Sequence, residues 1–458
     1  MTDLKSRTFL AGESDIDLVL IVRNFNSPEF INFAEQFSKA TKMIYYFLPF
    51  FKHMPVFNNQ TLKDVNRYLS LEAPRKNKDF RNWIFLWGED KIKRLILPSH
   101  QEVSPTVVRF SYEALILEIC RFKWEPGRPL RRAYANFFEI MRQSFISVKK
   151  RDAQDNNEYV FYMKEIGLPP KFIDFYLKLP SLNFQRHYEF LPLTLFSALR
   201  LMENIKEPSR HHFSNPDIVV EKKIEVIPAE EAMDFVRRID KTSISSVYCG
   251  QYIHCYPDYQ NLYIILRDDL PYEVFQKEFN NIYDKLDFLP TLKINSKLGM
   301  PKAAEYDKSV AKEIFPLILT KKLLYLPYLL NGLWGLECLD VGLFGKKIFG
   351  EEVDFLRIQN GDYNQGLLKQ EHHSLVTLAV TIYQIFLNEK VRNEAFGRIR
   401  ETIKFYQLFE KTNTIYYGDI NRRYREVFGH DGPDINNIAE FSKATEIFYQ
   451  FEKKRISS

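Results

Sequence analysis

The stretch "TFLAGESDIDLVLIV" (residues 8–22) places two aspartates, Asp15 and Asp17, one residue apart at the start of an apolar run. Its second half, "DLVLIV", is short, apolar and rich in β-branched residues, which predicts a strand buried on both faces. The preceding "AGES" is typical of a turn. Because positions i and i+2 of a strand share one face, Asp15 and Asp17 are expected side by side at the edge of a sheet.

Two neighbouring carboxylates repel each other, so one of them tends to stay protonated unless a cation lies between them. A divalent ion that prefers oxygen ligands, Mg²⁺ or Mn²⁺, removes this repulsion. The alternative is that Ser14 and Asp15 only form a turn and that Asp17 is a solvated strand end. For an isolated pair of this kind the alternative is the commoner outcome, so the surrounding residues decide.

The segment "GESDIDL" (residues 12–18) resembles the nucleotidyltransferase superfamily, which contains DNA polymerase beta and the minimal nucleotidyltransferases. The resemblance implies metal-dependent transfer of a nucleoside monophosphate from a nucleoside triphosphate, with ATP as the first candidate. The acceptor is not identified by the sequence. The resemblance also implies that Asp15 and Asp17 bind Mg²⁺ or Mn²⁺ and carry the catalysis, and that Ser14, Arg7 and Lys5 bind the nucleotide.

The beginning of the chain departs from the family pattern. The family carries Gly-Ser on a first strand upstream of the aspartate pair, and this dipeptide would fall at Thr2 and Asp3. The helix and strand that belong before it would need additional residues. We therefore expect that the start codon has been assigned too late, with a genuine truncation as the alternative.

The third carboxylate of the family, which belongs on a later strand beside the aspartate pair, is also missing. No acidic residue lies between Glu35 and Asp64, and the predicted strand at residues 50–58 offers Lys52 and His53 instead. Imidazole is a poor ligand for Mg²⁺. Two carboxylates alone therefore make a weaker case for a two-metal mechanism.

The composition indicates a large, helix-rich protein. The chain has 458 residues, 39 Phe, 26 Tyr and a net charge of +5. This length predicts about two to four domains, and the slight positive charge permits a nucleic-acid partner without indicating one. Four cysteines fit a reducing cytosol. The most hydrophobic stretch, residues 323–339, contains Pro327, Asn331 and Glu337, which predicts a buried helix, no membrane partner and a cytoplasmic protein.

Helical periodicity covers much of the chain. Ser27 and Pro28 are typical of a helix start, and the polar residues 206–217 are the best candidate for a linker. Helices are predicted at residues 27–47, 106–124, 130–150, 190–205, 372–409 and 434–454.

The order of elements then repeats. An amphipathic helix at 229–239 precedes predicted strands at 243–251 and 261–267, a helix that starts at Pro271 and a third strand at 289–297. Aligned with the first copy, Tyr259 and Asn261 fall opposite Asp15 and Asp17. Gly250 and Gln251 stand where Gly-Ser belongs. This pattern predicts a second nucleotidyltransferase-like unit without its acids, with a chance alternation of elements as the alternative.

The predicted fold is therefore α+β and helix-rich, with a small mixed-sheet nucleotidyltransferase-like domain followed by helical domains, and with a duplication of this pair. The boundaries that we predict are a nucleotidyltransferase-like domain at 1–95, a helical domain at 96–215, a second, degenerate nucleotidyltransferase-like domain at 216–305 and a helical domain at 306–458.

The other candidate sites are weaker. Cys249, His254 and Cys255 match no standard zinc spacing, so packing roles are favoured. "EHH" at residues 371–373 lies at a predicted helix start, where capping is commoner than metal binding. A Walker loop, a Rossmann fingerprint and a nucleophile elbow are all absent from the sequence. The main functional alternative is a catalytically inactive relative that binds nucleotide or serves as a scaffold; an RNA-binding protein is the third.

Overall fold

The computed structural model describes the protein in a set of separate segments, and all structural statements concern these residues. Continuous segments cover residues 105–124, 131–178, 190–206, 226–251, 259–289, 313–326 and 333–355. Shorter pieces lie at 16–17, 20–22, 51–53, 56–58, 86–88, 217–220 and 414–417, with single positions between 29 and 43, at 103 and between 422 and 429. Over these residues the fold is α+β and helix-rich, as predicted.

The helices whose bounds the structure gives lie beyond residue 104, and up to Glu203 they follow one another without a described strand between them. They are α1 (Pro105–Trp124), α2 (Arg131–Lys149), α3 (Asn156–Glu165), α4 (Pro170–Lys178), α5 (Leu191–Glu203), α6 (Glu230–Arg238), α7 (Tyr272–Lys285), α8 (Lys321–Leu324) and α9 (Leu333–Phe344).

The strands of the described segments form one four-stranded mixed sheet and three short parallel pairs. They are β1 (Ile16–Asp17), β2 (Leu20–Val22), β3 (Phe51–His53), β4 (Val56–Asn58), β5 (Asp217–Val220), β6 (Ile244–Gln251), β7 (Tyr259–Leu266), β8 (Glu313–Thr320), β9 (Lys346–Gly350) and β10 (Thr414–Tyr417).

The four-stranded sheet has the order β8-β7-β6-β9. Strand β6 is antiparallel to both β7 and β9, whereas β7 and β8 are parallel. Of the short pairs, β1 is parallel to β3, β2 to β4, and β5 to β10. Strands β8 and β9 both come from residues 306–458, so this sheet draws on the chain on both sides of residue 305.

The helices before the sheet pack through aromatic rings and small hydroxyl groups. Phe137 on α2 meets Phe172 on α4 edge to face, with ring centroids 4.9 Å apart. The Ser144 hydroxyl on α2 lies 2.7 Å from the Tyr162 hydroxyl and donates to the Leu201 carbonyl at 2.7 Å. A serine at this position lets α2 approach α5 closely while its buried hydroxyl is hydrogen-bonded.

These helices share one hydrophobic core with the mixed sheet. The Tyr112 hydroxyl on α1 donates to the Ile318 carbonyl of β8, and Thr320 at the end of β8 donates to Glu203 of α5 at 2.7 Å. Arg200 of α5 forms a salt bridge with Asp269, just beyond β7, at 3.2 Å. The bundle therefore covers the β8 side of the sheet.

Several predicted elements are confirmed. The helices predicted at 106–124, 130–150, 190–205 and 229–239 and the strands predicted at 243–251 and 261–267 correspond to α1, α2, α5, α6, β6 and β7. The described positions between Glu29 and Met43 are helical, and Pro271 is the N-cap of α7. Most of the strand predicted at 289–297 and both helices predicted after residue 370 lie outside the described residues.

The prediction of one buried helix at 323–339 is wrong. Helix α8 ends with Tyr325 as its C-cap, and α9 starts at Leu333. The residue before a proline is biased away from helical backbone angles, so Pro327 explains why the helix stops ahead of it. In the segments that the structure describes, no helix is both long and apolar enough to cross a bilayer.

Candidate functional site

Asp17, the second aspartate of the motif, lies on a short parallel strand pair. Ile16 and Asp17 form β1, which pairs with β3, and β2 pairs with β4 further along the same segments. Asp17 pairs with His53 and Leu20 pairs with Val56. The step from Asp17 to Leu20 has as many residues as the step from His53 to Val56, so both pairs belong to one register. This confirms the two strands that the sequence predicts at 17–22 and 50–58. Asp15, Ser14, Arg7 and Lys5 lie outside the described residues.

The register of this pair brings His53 next to Asp17. Phe51 pairs with Ile16 and His53 with Asp17, so β3 carries one more residue than β1 at this point. The extra residue is Lys52. Such bulges are common next to active sites. The sequence correctly predicted that Lys52 and His53 lie on a strand, but the register that pairs His53 with Asp17 is visible only in the structure.

The connection from β2 to β3 is helical wherever it is described. Parallel strands need a crossover connection, usually a helix. Within it, Gln36 donates to Asn32 and Lys39 to Glu35, each at 2.9 Å and across one helical turn. The N-terminal segments thus have the order strand, helix, parallel strand.

The mixed sheet contains the same arrangement in the second half of the chain. Strands β7 and β8 are parallel, and α7 lies between them in sequence. Asn261 on β7 pairs with Phe315 on β8, and on its other side with Gly250 on β6. Strand β8 is therefore the parallel partner of β7 in this arrangement. The sequence does not predict β8, because Pro316 interrupts its apolar run "EIFPLILT".

Gly250 is closely packed. A Cβ atom at this position would lie 2.6 Å from Cγ2 of Val341 on α9 and 2.9 Å from the ring of Tyr263. Asn261, paired with Gly250, is buried, and in the part of the chain described here its side-chain oxygen accepts no hydrogen bond. The space in front of Gly250 is filled by apolar side chains of the protein itself, so this glycine is required for packing.

Gly250→Ala is expected to lower the free energy of unfolding by about 1–3 kcal/mol, because the added methyl group overpacks the contact between β6 and α9. Chemical denaturation of both proteins measures the change. In a double-mutant cycle with Val341→Ala, the two substitutions should be strongly non-additive. Additive effects would show that the close approach to Val341 is not the reason for the glycine.

Cys249 has a packing role. It is fully buried on β6, with its sulfur 3.4 Å from Oε1 of Gln260, and Gln260 in turn accepts from the Ala229 amide and donates to the Ile227 carbonyl. His254 and Cys255 lie outside the described residues. Among the residues that are described, no group of three or more His, Cys, Asp or Glu could hold a metal ion. Cys120, Cys249 and Cys338 are buried and form no disulfide.

Glu278 on α7 is a buried acid that accepts hydrogen bonds from Ser243, the residue just before β6. Burial raises the pKa of its carboxyl group, and Asp240 adds to this, although hydrogen bonds from Asn281 and Ser243 oppose the shift. The Asn281 amide donates to Glu278 at 2.8 Å and also bonds the backbone of Asp240. These contacts hold the turn before β6 against α7, which is a structural role.

The raised pKa of Glu278 predicts a pH-dependent stability. The folded protein binds this proton more tightly than the unfolded chain, so the stabilisation is complete at low pH and is lost as pH rises through the folded pKa. Glu278→Gln keeps an acceptor for Asn281 without the charge. The Tm of the variant minus the Tm of wild type should increase by a few degrees as the pH is raised from about 4 to about 8. A constant difference in Tm across this range would contradict the assignment.

Helix α1 carries two ion pairs in its buried part. Arg121 lies 2.6 Å from Glu118, and both side chains are less than a tenth exposed. Arg109 lies 3.0 Å from Glu113, whose pKa is raised by burial despite the neighbouring guanidinium. In each pair the two residues are one helical turn apart on α1. Each pair neutralises charges that are buried on this helix.

The candidate site is therefore the β1–β3 strand pair, in which Asp17 pairs with His53. Comparisons of the chain with protein families, with characterised proteins and with solved structures give no match.

Proposed function

We propose that the protein is a metal-dependent nucleotidyltransferase that transfers a nucleoside monophosphate from a nucleoside triphosphate, with ATP as the first candidate, to an acceptor hydroxyl. The observation that carries this proposal is "GESDIDL", with Asp17 on a strand that pairs with the next parallel strand. Three buried cysteines without disulfides fit a cytoplasmic location, which is part of the proposal.

Asp15 and Asp17 would supply the carboxylate oxygens that Mg²⁺ and Mn²⁺ prefer, so the donor set fits the implied ion. When bound, the ion would offset the charge that develops on the leaving pyrophosphate. Ser14 would hold the phosphates, and Arg7 and Lys5 would neutralise the triphosphate. Each of these groups orients the nucleotide so that the acceptor hydroxyl can attack the α-phosphorus.

The second half of the chain supports a duplicated architecture. Helix α6, strands β6 and β7, helix α7 and strand β8 follow one another in the order expected for a complete unit. The N-terminal segments contain the last three parts of that order. We propose that domains 1–95 and 216–305 are related, and that the second unit extends to the end of β8 at Thr320.

A catalytically inactive binding or scaffold protein is the second candidate. It is supported by the second unit, in which Asn261 and Phe315 stand where the first unit has Asp17 and His53. Neither side chain carries the negative charge that attracts a divalent ion, and Gly250 is packed against Val341. If the first unit is also unable to catalyse transfer, the protein would bind a nucleotide without transferring it.

The test uses the full chain, α-labelled nucleoside triphosphates, and Mg²⁺ or Mn²⁺, with a cell extract as the source of acceptors. Labelled product and released pyrophosphate are expected, and both should disappear when EDTA removes the metal. Nucleotide binding without transfer would favour the inactive relative. Absence of both binding and transfer would contradict both candidates.

A further inference from the structure

We propose that the helical bundle α1–α5 and the sheet β6–β9 form one cooperative unit, in which helix α7 is clamped at both ends by the bundle. This inference is independent of the proposed transfer activity. It joins the helical domain predicted at 96–215 to the second unit predicted at 216–305. The clamp is made by α5 at the start of α7 and by α1 at its end.

The end of α7 is capped by a lysine from another helix. The Lys123 ammonium, at the end of α1, donates to the carbonyls of Tyr283 and Asp284 at 2.7 and 2.9 Å. It also lies 3.3 Å from Asp287, and the Trp124 indole donates to the same carboxylate at 2.8 Å. The last carbonyls of a helix carry partial negative charge, so a cation is favourable there. Lys123 therefore fastens the C-terminal end of α7 to α1.

The start of α7 is held by α5. The Arg200 guanidinium on α5 donates to the carbonyl of Leu270, just before α7, at 3.3 Å. One turn earlier on α5, the Phe196 ring meets the rings of Tyr272 and Phe275 edge to face, with centroids 5.4 and 5.3 Å apart. Aromatic pairs with this geometry contribute more than their buried area alone. Both ends of α7 are thus fixed to helices of the bundle.

The clamp on α7 also holds the middle of the sheet. Helix α7 lies in sequence between the parallel strands β7 and β8, and β8 itself is bound to α1 through Tyr112 and to α5 through Glu203. Relative motion of two domains is the usual expectation unless their interface is large and hydrophobic. Here the buried apolar side chains of both parts belong to one core, so the bundle and the sheet are expected to move and unfold together.

Hydrogen exchange of the full chain, measured by mass spectrometry at increasing urea concentrations, tests the proposal. The most protected amides of α2 and α5 report on the bundle, and those of β6 and β7 report on the sheet. A single cooperative unit loses the protection of both sets at the same urea concentration. Two separate midpoints would overturn the proposal.

Two core substitutions test the coupling from either side. Phe172→Leu alters a buried ring of α4 in the bundle, and Val247→Ala alters a buried side chain of β6 in the sheet. Each should raise the equilibrium constant for opening of the most protected amides by about tenfold or more. This factor should be the same in the bundle and in the sheet. A substitution that raises the constant only in its own part would overturn the proposal.

Lys123→Met tests the clamp itself, because methionine keeps an unbranched side chain and removes the ammonium. It should raise the same opening constant by about tenfold in both parts, since hydrogen bonds from a charged donor are lost. The matched control is Lys164→Met, a change at an exposed lysine of α3, which should leave the constant unchanged. If Lys123→Met behaves like this control, the clamp at the end of α7 is overturned.

Discussion

The Asp15→Asn/Asp17→Asn double variant is expected to lose nucleotidyl transfer by about a thousandfold or more. A bound metal ion stabilises the developing charge of a phosphoryl transfer by several kcal/mol, and each 1.4 kcal/mol corresponds to a factor of ten in rate. Asparagine keeps the size of aspartate and removes the charge that attracts the ion. The measurement is the initial rate of label transfer at saturating Mn²⁺.

The matched control is Asp174→Asn, because Asp174 is an exposed aspartate on α4, far along the chain from the motif. It should transfer label at the wild-type rate. The circular dichroism spectra and thermal melts of all three proteins should agree, since the substitutions replace one small polar side chain by another. Transfer that persists in the double variant would rule out Asp15 and Asp17 as the metal ligands.

Arg121→Met is expected to lower the free energy of unfolding by about 3–5 kcal/mol. Arg121 is almost completely buried beside Glu118, and removal of one partner of a buried ion pair is strongly destabilising. Replacement of both partners, in Glu118→Leu/Arg121→Met, should restore most of the loss, because apolar side chains of similar size fill the same space. Urea denaturation measures each free energy.

Arg237→Met is the matched control. Arg237 pairs with Asp234 at the same spacing of three residues, with the acid first, but both side chains are largely exposed. Exposed ion pairs contribute little to stability, so this variant should unfold close to wild type. A double variant at Glu118 and Arg121 that is no more stable than Arg121→Met would contradict the view that disruption of this buried ion pair causes the loss.

The elements with strong local signals could be predicted from the sequence. Helices α1, α2 and α5 follow from the periodicity of apolar residues, and β6 and β7 from apolar runs bounded by turn residues. Strand β8 could not be found in this way, since proline normally argues against a strand. In the described sheet β8 is the outermost strand beside β7, and Pro316 is tolerated there because one side of such a strand needs no partner.

The pairing of strands that lie far apart in the chain could not be predicted from the sequence. Strand β5 starts at the end of the predicted linker and pairs with β10, almost two hundred residues later. Both strands have four residues, too few for a periodicity to be recognised. The pairing of Asp17 with His53 is of the same kind, because a local apolar pattern does not fix which residues of two strands face each other.

Gly250 has a physical cause that the sequence does not indicate. In the predicted alignment Gly250 takes the place of the glycine of Gly-Ser, and the structure shows only that it lies on strand β6. The structure accounts for this glycine by the approach of Val341 and Tyr263. Both residues come from elements other than β6, so the local sequence around Gly250 holds no sign of them.

The central claim is that the acidic pair near the amino end holds a divalent ion to which a nucleotide binds. A crystal structure of the full chain with Mn²⁺ and a non-hydrolysable ATP analogue, with anomalous data collected for manganese, tests it most directly. We predict an anomalous peak within about 2.0–2.6 Å of carboxylate oxygens of Asp15 and Asp17, with triphosphate oxygens bound to the same ion. A nucleotide bound elsewhere, or an acidic pair without a manganese peak, would contradict the claim.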